Sequence, residues 1–198
     1  MSGKDIERRR WNFSYRLDQS TRWIDNDMYA HLNNSVYPLL ADSINNTYLI
    51  DHCGIEPANN TATASSSSSS KPTSSSVIGL VISSSSSYYA PASFPNRLQT
   101  GLRVIQLGSS SVTYEVGIFE IPPPNPRAKS SSMSIQNNLQ AADLPKDALA
   151  CCIVRTTHVF VDRITRRPVK PMPEQLHKGL SSLIVDRFLL KEAGKAKL

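Results

Sequence analysis

The chain has 198 residues, 39% of them hydrophobic, with 22 Lys and Arg against 16 Asp and Glu, a net charge of +6. That length is enough for one ordinary core, and no run approaches the roughly 18 consecutive apolar residues of a membrane span. The three cysteines, Cys53, Cys151 and Cys152, are odd in number and lack metal-ligand spacing, which argues against a disulfide scaffold and against a zinc site.

Residues 1–10, MSGKDIERRR, lack the apolar region of a secretory signal and are expected as a flexible lead-in. A single domain is expected over 11–190, beginning with a first strand over 11–24. The run RWIDNDMYAHLNNSVY at 22–37 follows. Asp25 and Asp27 lie two apart, so at a strand end both carboxylates would point the same way. Asn33 or Asn34 is a natural N-cap for the next element. A carboxylate beside a helix N-terminus pairs a base or nucleophile with free backbone N–H groups that hold a developing oxyanion.

The spacing predicts a helix over 35–53. Val36, Leu40, Ile44 and Tyr48 recur every four residues, Tyr37, Ala41 and Leu49 widen the face, and Gly54 stops it. Pro38 falls in the first turn, where its missing N–H breaks no intrahelical bond. Residues 56–76 are serine-rich and polar, an insertion expected to be disordered. Strands are predicted at 77–89, 97–107, 111–120 and 148–162. The third has a strict period of two in Val112, Tyr114, Val116 and Ile118. A second insertion, rich in Pro and Ser, is expected over 121–147. A last amphipathic helix carries Leu176, Leu180, Leu183, Ile184 and Phe188 on one face, and 191–198 form a mobile tail.

The pattern formed by Asp25, Asp27, Ala30, His31, Asn33, Asn34 and Tyr37 resembles the 4-hydroxybenzoyl-CoA thioesterase-like branch of the hotdog-fold acyl-CoA thioesterases. Members of that branch carry Gly where this chain has Ala30. Tyr88 to Phe119, with Pro91, Phe94, Leu98, Gly108 and Ser110, resembles the family's strand–turn–strand section, and Val159 to Leu176 its last strand and exit. The resemblance implies an α+β hotdog fold: a curled antiparallel sheet wrapped around one long central helix, with a C-terminal helix. It implies an acyl-CoA thioesterase that needs no cofactor or metal and assembles as a homodimer or homotetramer, with the active site between subunits.

By the same resemblance Asp27 is the catalytic carboxylate, as nucleophile or general base. The backbone N–H at Asn34 holds the thioester oxygen, and Asp25, His31 and Asn33 support the loop. Each also has a plain reading as a turn or cap residue. CoA is a polyanion, which suits the net positive charge. Arg97, Arg103, Arg163, Arg166 and Arg167 are candidates for its phosphates. Nucleic-acid binding is disfavoured, since no basic run is interleaved with aromatics. Two other functions stay open, a non-catalytic acyl-CoA-binding protein and a hotdog hydratase or dehydratase. The last is disfavoured because His31 stands four and six residues after the two aspartates rather than five. Finally, Ala196-Lys197-Leu198 is a conservative variant of the Ser-Lys-Leu ending read by the peroxisomal import receptor, so the expected address is the peroxisome, with the cytoplasm otherwise.

Overall fold

A computed structural model describes residues 5, 7–56, 76–121 and 144–185. The serine-rich stretch, most of the Pro/Ser stretch, Phe188 and the C-terminal tripeptide lie outside the described residues.

Among the described residues five strands form one antiparallel sheet: β1 (Tyr15–Gln19), β2 (Val77–Tyr88), β3 (Arg97–Leu107), β4 (Ser111–Ile121) and β5 (Cys152–Asp162), in the order β1-β3-β4-β5-β2. The curled sheet wraps one long helix, α1 (Val36–Cys53), and a short helix, α2 (Glu174–Ser181), follows the last strand. This is the hotdog fold. No helix among the described residues is long and apolar enough to cross a membrane.

The inner face of the sheet is set by period-two alternation. Leu98, Leu102 and Val104 of β3, Val112, Tyr114, Val116 and Ile118 of β4, and Cys152, Val154 and Phe160 of β5 all join one buried cluster with α1. The helix meets them through Tyr37, Ala41, Ile44, Asn45, Tyr48 and Leu49. Val36 and Leu40 are only half-buried. The buried stripe is therefore rotated by about one position from the four-residue repeat read in the sequence, because the sheet reaches around the Tyr37–Ala41 side. Gly54 ends α1 at φ 68°, its N–H bonded to the Leu49 carbonyl. A Cβ there would stand 2.6 Å from the Gln175 side chain.

Three expected boundaries move. The first strand is shorter than 11–24, because Arg10–Asn12 and Trp23–Asp25 turn as short 3-10 helices at either end of it. The last strand starts at Cys152 rather than 148. The final helix stops at Ser181, so Leu183 and Ile184 do not extend its face. Leu183 is buried beyond the helix and its carbonyl accepts Val104 N–H at 2.9 Å. Ile184 instead makes a parallel bridge to Val104.

Residues 8–10, expected in the flexible lead-in, and 11–13, expected at the start of the first strand, run across the outer face of the sheet. Arg10 N–H donates to the Ala148 carbonyl at 2.9 Å. Phe13 lies over Gly101 and Gly117, which face each other on β3 and β4. A Cβ at either glycine would come within 2.7 Å of Phe13. The two missing side chains make a slot for the ring, which packs edge-on against Phe119 at 5.6 Å. With Ile121, Leu144 and Ala150 these form a second, smaller core.

Candidate active site

The loop between β1 and α1 is built by short-range bonds that its polar residues dictate. Asp25 does not share a face with Asp27. It is buried, and Arg22 closes on its carboxylate, with Arg22 N–H at 2.7 Å and the guanidinium Nη2 at 2.7 Å. The hydrogen bonds from Arg22 hold its carboxyl below the usual range, although burial opposes them. The Asp25 carbonyl accepts Asn33 N–H at 2.8 Å, which ties the two ends of the loop.

Asp27 caps the turn inside. Its Oδ1 accepts Tyr29 N–H at 2.8 Å and His31 N–H at 3.2 Å, while its own N–H donates to the His31 carbonyl at 2.7 Å. The other carboxylate oxygen takes no hydrogen bond among the described residues. Ala30 completes the turn at φ 60°, a left-handed conformation that costs a non-glycine residue roughly 1–2 kcal/mol. The expected glycine is absent, yet the glycine geometry is kept.

Asn33 caps the entry to α1. Ser35 already has helical angles, and Asn33 Oδ1 accepts Ser35 N–H at 3.0 Å and Ser35 Oγ at 2.8 Å. The Asn33 carbonyl takes Val36 N–H at 2.9 Å. Asn34 lies between them. Its carbonyl accepts the Tyr88 hydroxyl at 3.1 Å, and its N–H makes no hydrogen bond among the described residues, as the first amides of a helix do.

These groups meet at one cavity of about 290 Å³, lined by Asp27, His31, Asn34, Tyr37, Tyr88 and Pro91 among others. Asp27, with one carboxylate oxygen unpartnered among the described residues, and Asn34, with its N–H free, therefore line the same cavity. His31 is exposed and its ring makes no hydrogen bond among the described residues. Tyr37, read as part of the motif, and Tyr88 were not among the expected site residues. Tyr88 and Tyr37 meet edge-on at 5.3 Å, and only the pairing of β2 beside α1 brings them together.

The five candidate arginines scatter. Arg97 pairs with Asp18 at 3.1 Å. Arg103 is buried on the outer sheet face against Glu115. Arg163, Arg166 and Arg167 lie at or just beyond the turn that follows β5, where Arg163 Nη2 donates to the Glu56 carbonyl at 2.9 Å. Cys152 pairs with Tyr88 beside the cavity, and Asp162, at the turn, pairs with Val77. Ten residue steps separate them, about 33 Å along a strand. The cysteine thiols are buried, and burial pushes each up to about 12.

A family model described as the thioesterase-like superfamily matches residues 21–180. This chain belongs to the thioesterase-like superfamily. Among solved structures, the PA5185 protein of Pseudomonas aeruginosa strain PAO1 is 34% identical, with a TM-score of 0.66, covering 90% of this chain and 96% of its own. Slr0204, a 1,4-dihydroxy-2-naphthoyl-CoA thioesterase from Synechocystis, shares the fold at 14% identity and a TM-score of 0.58, covering 85% and 96%. SAV2348 from Staphylococcus aureus, solved in complex with CoA, does so at 9% identity and 0.58, covering 87% and 86%. No curated protein sequence matches. Membership makes this thioesterase-superfamily protein a thioester hydrolase.

Proposed function

We propose that the protein hydrolyses acyl-CoA thioesters to the free acid and CoA, with Asp27 as the reacting carboxylate and the Asn34 N–H polarising the carbonyl. One observation carries the reading: Asp27, which keeps an unpartnered carboxylate oxygen, and Asn34, which keeps a free amide at the start of α1, line the same cavity. The Asn34 N–H, at the positive end of the helix dipole, lowers the energy of the oxyanion as the carbonyl is attacked. As general base, Asp27 takes a proton from water, the hydroxide adds to the thioester carbon, and collapse expels the CoA sulfur, which receives that proton. As nucleophile, Asp27 would displace the CoA thiolate from the acyl carbon to form a mixed anhydride, which water then opens to give the free acid and regenerate the carboxylate, its released proton going to the thiolate. Two solved relatives support the substrate class by name, one a CoA thioesterase and one bound to CoA.

The test is a panel of acyl-CoA esters with detection of the free thiol, run on wild type and Asp27→Asn. Asn retains an oxygen for the Tyr29 and His31 amides, so the loop survives while the charge is lost. Turnover should fall by about a hundredfold or more. Near-wild-type turnover in the variant would sink the assignment. A chain that binds the esters and cleaves none would be the non-catalytic acyl-CoA-binding protein.

The assembly belongs to the same reading. β2 is an edge strand whose outer side has no pairing partner among the described residues. It exposes Leu80, Val81, Ile82 and Tyr88, and an open apolar edge is normally covered or paired. A homodimer or homotetramer pairs it with a second copy. A monomeric mass by light scattering in a fully active sample would contradict this. For the cell address, we carry forward Ala196-Lys197-Leu198 as a peroxisomal signal. A fluorescent protein fused ahead of residues 187–198 should become punctate with a peroxisomal marker, and a diffuse signal would return the assignment to the cytosol.

A further inference from the structure

A second cavity, of about 310 Å³, lies on the outer face of the sheet at the same end of β2. The two cavities share one wall residue, Tyr89. The floor of the outer one is a transverse row on neighbouring strands. Arg103 of β3 pairs with Glu115 of β4, Glu115 with Arg155 of β5, and Arg155 with Ser85 of the edge strand.

Arg103 and Glu115 are both 2% exposed. Arg103 Nε donates to Glu115 Oε2 at 2.9 Å, and Arg155 Nε to Oε1 at 3.1 Å. Each carboxylate oxygen thus serves a different guanidinium, so two cations share one anion. Glu7 and Arg8 complete the wall, and Arg8 pairs with Asp5 at 3.5 Å. Arg8 stacks on the Tyr89 ring, 4.0 Å from its centroid. Arg103 Nη1 has no hydrogen-bond partner but is buried, and its guanidinium lies over the Phe13 ring, 4.5 Å from the centroid, whereas Arg155, whose side chain is 49% exposed, bonds through Nε and Nη2 and leaves Nη1 unused. The cation of the row that stays open to the cavity is therefore Arg155, with a guanidinium N–H that Glu115 does not take.

We propose that this outer cavity holds phosphate groups of the CoA moiety while its thioester lies at Asp27 of the same chain. The inference rests on the acyl-CoA reading above. The pantetheine arm separates the thioester from the phosphates, so the phosphate site must lie beside the reaction cavity and not in it. Tyr89 provides that adjacency, and the arm passes around the end of β2 beside it. Arg155 is the principal ligand, because a guanidinium with a free edge suits phosphate. Arg163, Arg166 and Arg167 are too far along β5 to serve the site of their own chain.

The experiment compares an acyl-CoA ester with the matching N-acetylcysteamine thioester, which carries no phosphate. Arg155→Ala leaves Glu115 paired with Arg103, so the fold should stand. KM for the CoA ester should rise roughly tenfold or more, with kcat within about twofold, and the phosphate-free thioester should be cleaved as by wild type. Arg155→Lys should recover part of the loss. Adenosine 3′,5′-bisphosphate should bind wild type, and bind Arg155→Ala correspondingly more weakly, by calorimetry. An unchanged KM for the CoA ester in Arg155→Ala overturns the proposal, as does an equal loss on both substrates. So does a KM rise from Arg166→Ala and Arg167→Ala with none from Arg155→Ala, which would put the phosphates on the turn of a second copy. Each of these results is separable from failure of the catalytic reading, which shows as full activity in Asp27→Asn.

Discussion

Ala30→Gly should stabilise the protein, and the sign follows from two opposed terms. Ala30 sits at φ 60° in the turn that Asp27 caps. Holding a Cβ in the left-handed region costs roughly 1–2 kcal/mol. Glycine removes that strain but loses more backbone freedom on folding, an offset of roughly 0.5–1 kcal/mol. The side chain is exposed, so no packing is lost. The balance is a gain of about 0.5–1 kcal/mol. With a urea m-value of roughly 2 kcal/mol/M, the midpoint should move up by about 0.3–0.5 M at unchanged slope. Ala30→Val should move it down, since a β-branched residue at positive φ is a genuine outlier. The amides of Tyr29 and His31 hold Asp27 from both sides of position 30, so Ala30→Gly should keep kcat within about twofold. A glycine variant less stable than wild type would show that this turn does not carry left-handed strain.

Gly117→Ala should cost about 1–3 kcal/mol by overpacking, since its Cβ would stand 2.7 Å from the Phe13 ring. In a Phe13→Ala background the methyl enters vacated space and most of that cost should vanish in a urea double-mutant cycle, whereas additive costs would mean the ring does not occupy the glycine slot. His158 is buried, both ring nitrogens lack partners among the described residues, and burial holds it below its ordinary 6.5 while Asp42 acts the other way. The folded state keeps it neutral while the unfolded chain takes up a proton below pH 6.5, so stability is lost as pH falls through that value. His158→Phe should remove this part of the acid slope and leave stability at pH 7 equal or higher by about 1 kcal/mol. A clear loss at pH 7 would show that the nitrogens are hydrogen-bonded in solution.

Local sequence determined what depends on neighbours in the chain. The period of two in β4 and the long apolar-faced run ending at Gly54 were legible because strand and helix periodicities are local. The loop from Asp25 to Asn34 was legible as a motif, since its internal bonds span two to eight residues, while its bonds to Tyr88, Ala92 and Phe94 were not. Its geometry was not. Two aspartates at strand spacing read as sharing a face, but the chain leaves the strand at Gln19 and turns at Trp23–Asp25, sending one carboxylate into a buried pair with Arg22 and the other to the cavity. The phosphate candidates show the wider limit. Arginines 163, 166 and 167 are conspicuous as a cluster, whereas Arg8, Arg103 and Arg155 stand far apart in the sequence and converge only where the N-terminal segment, β3 and β5 meet. The same holds for Phe13 and its two glycines, 88 and 104 positions downstream by their numbers. Sheet register and the path of the N-terminal segment are long-range properties, set by which faces can be buried together. For that reason the sequence alone determined the family, the central helix and the loop from Asp25 to Asn34, and only the tertiary structure decided which side chains surround them.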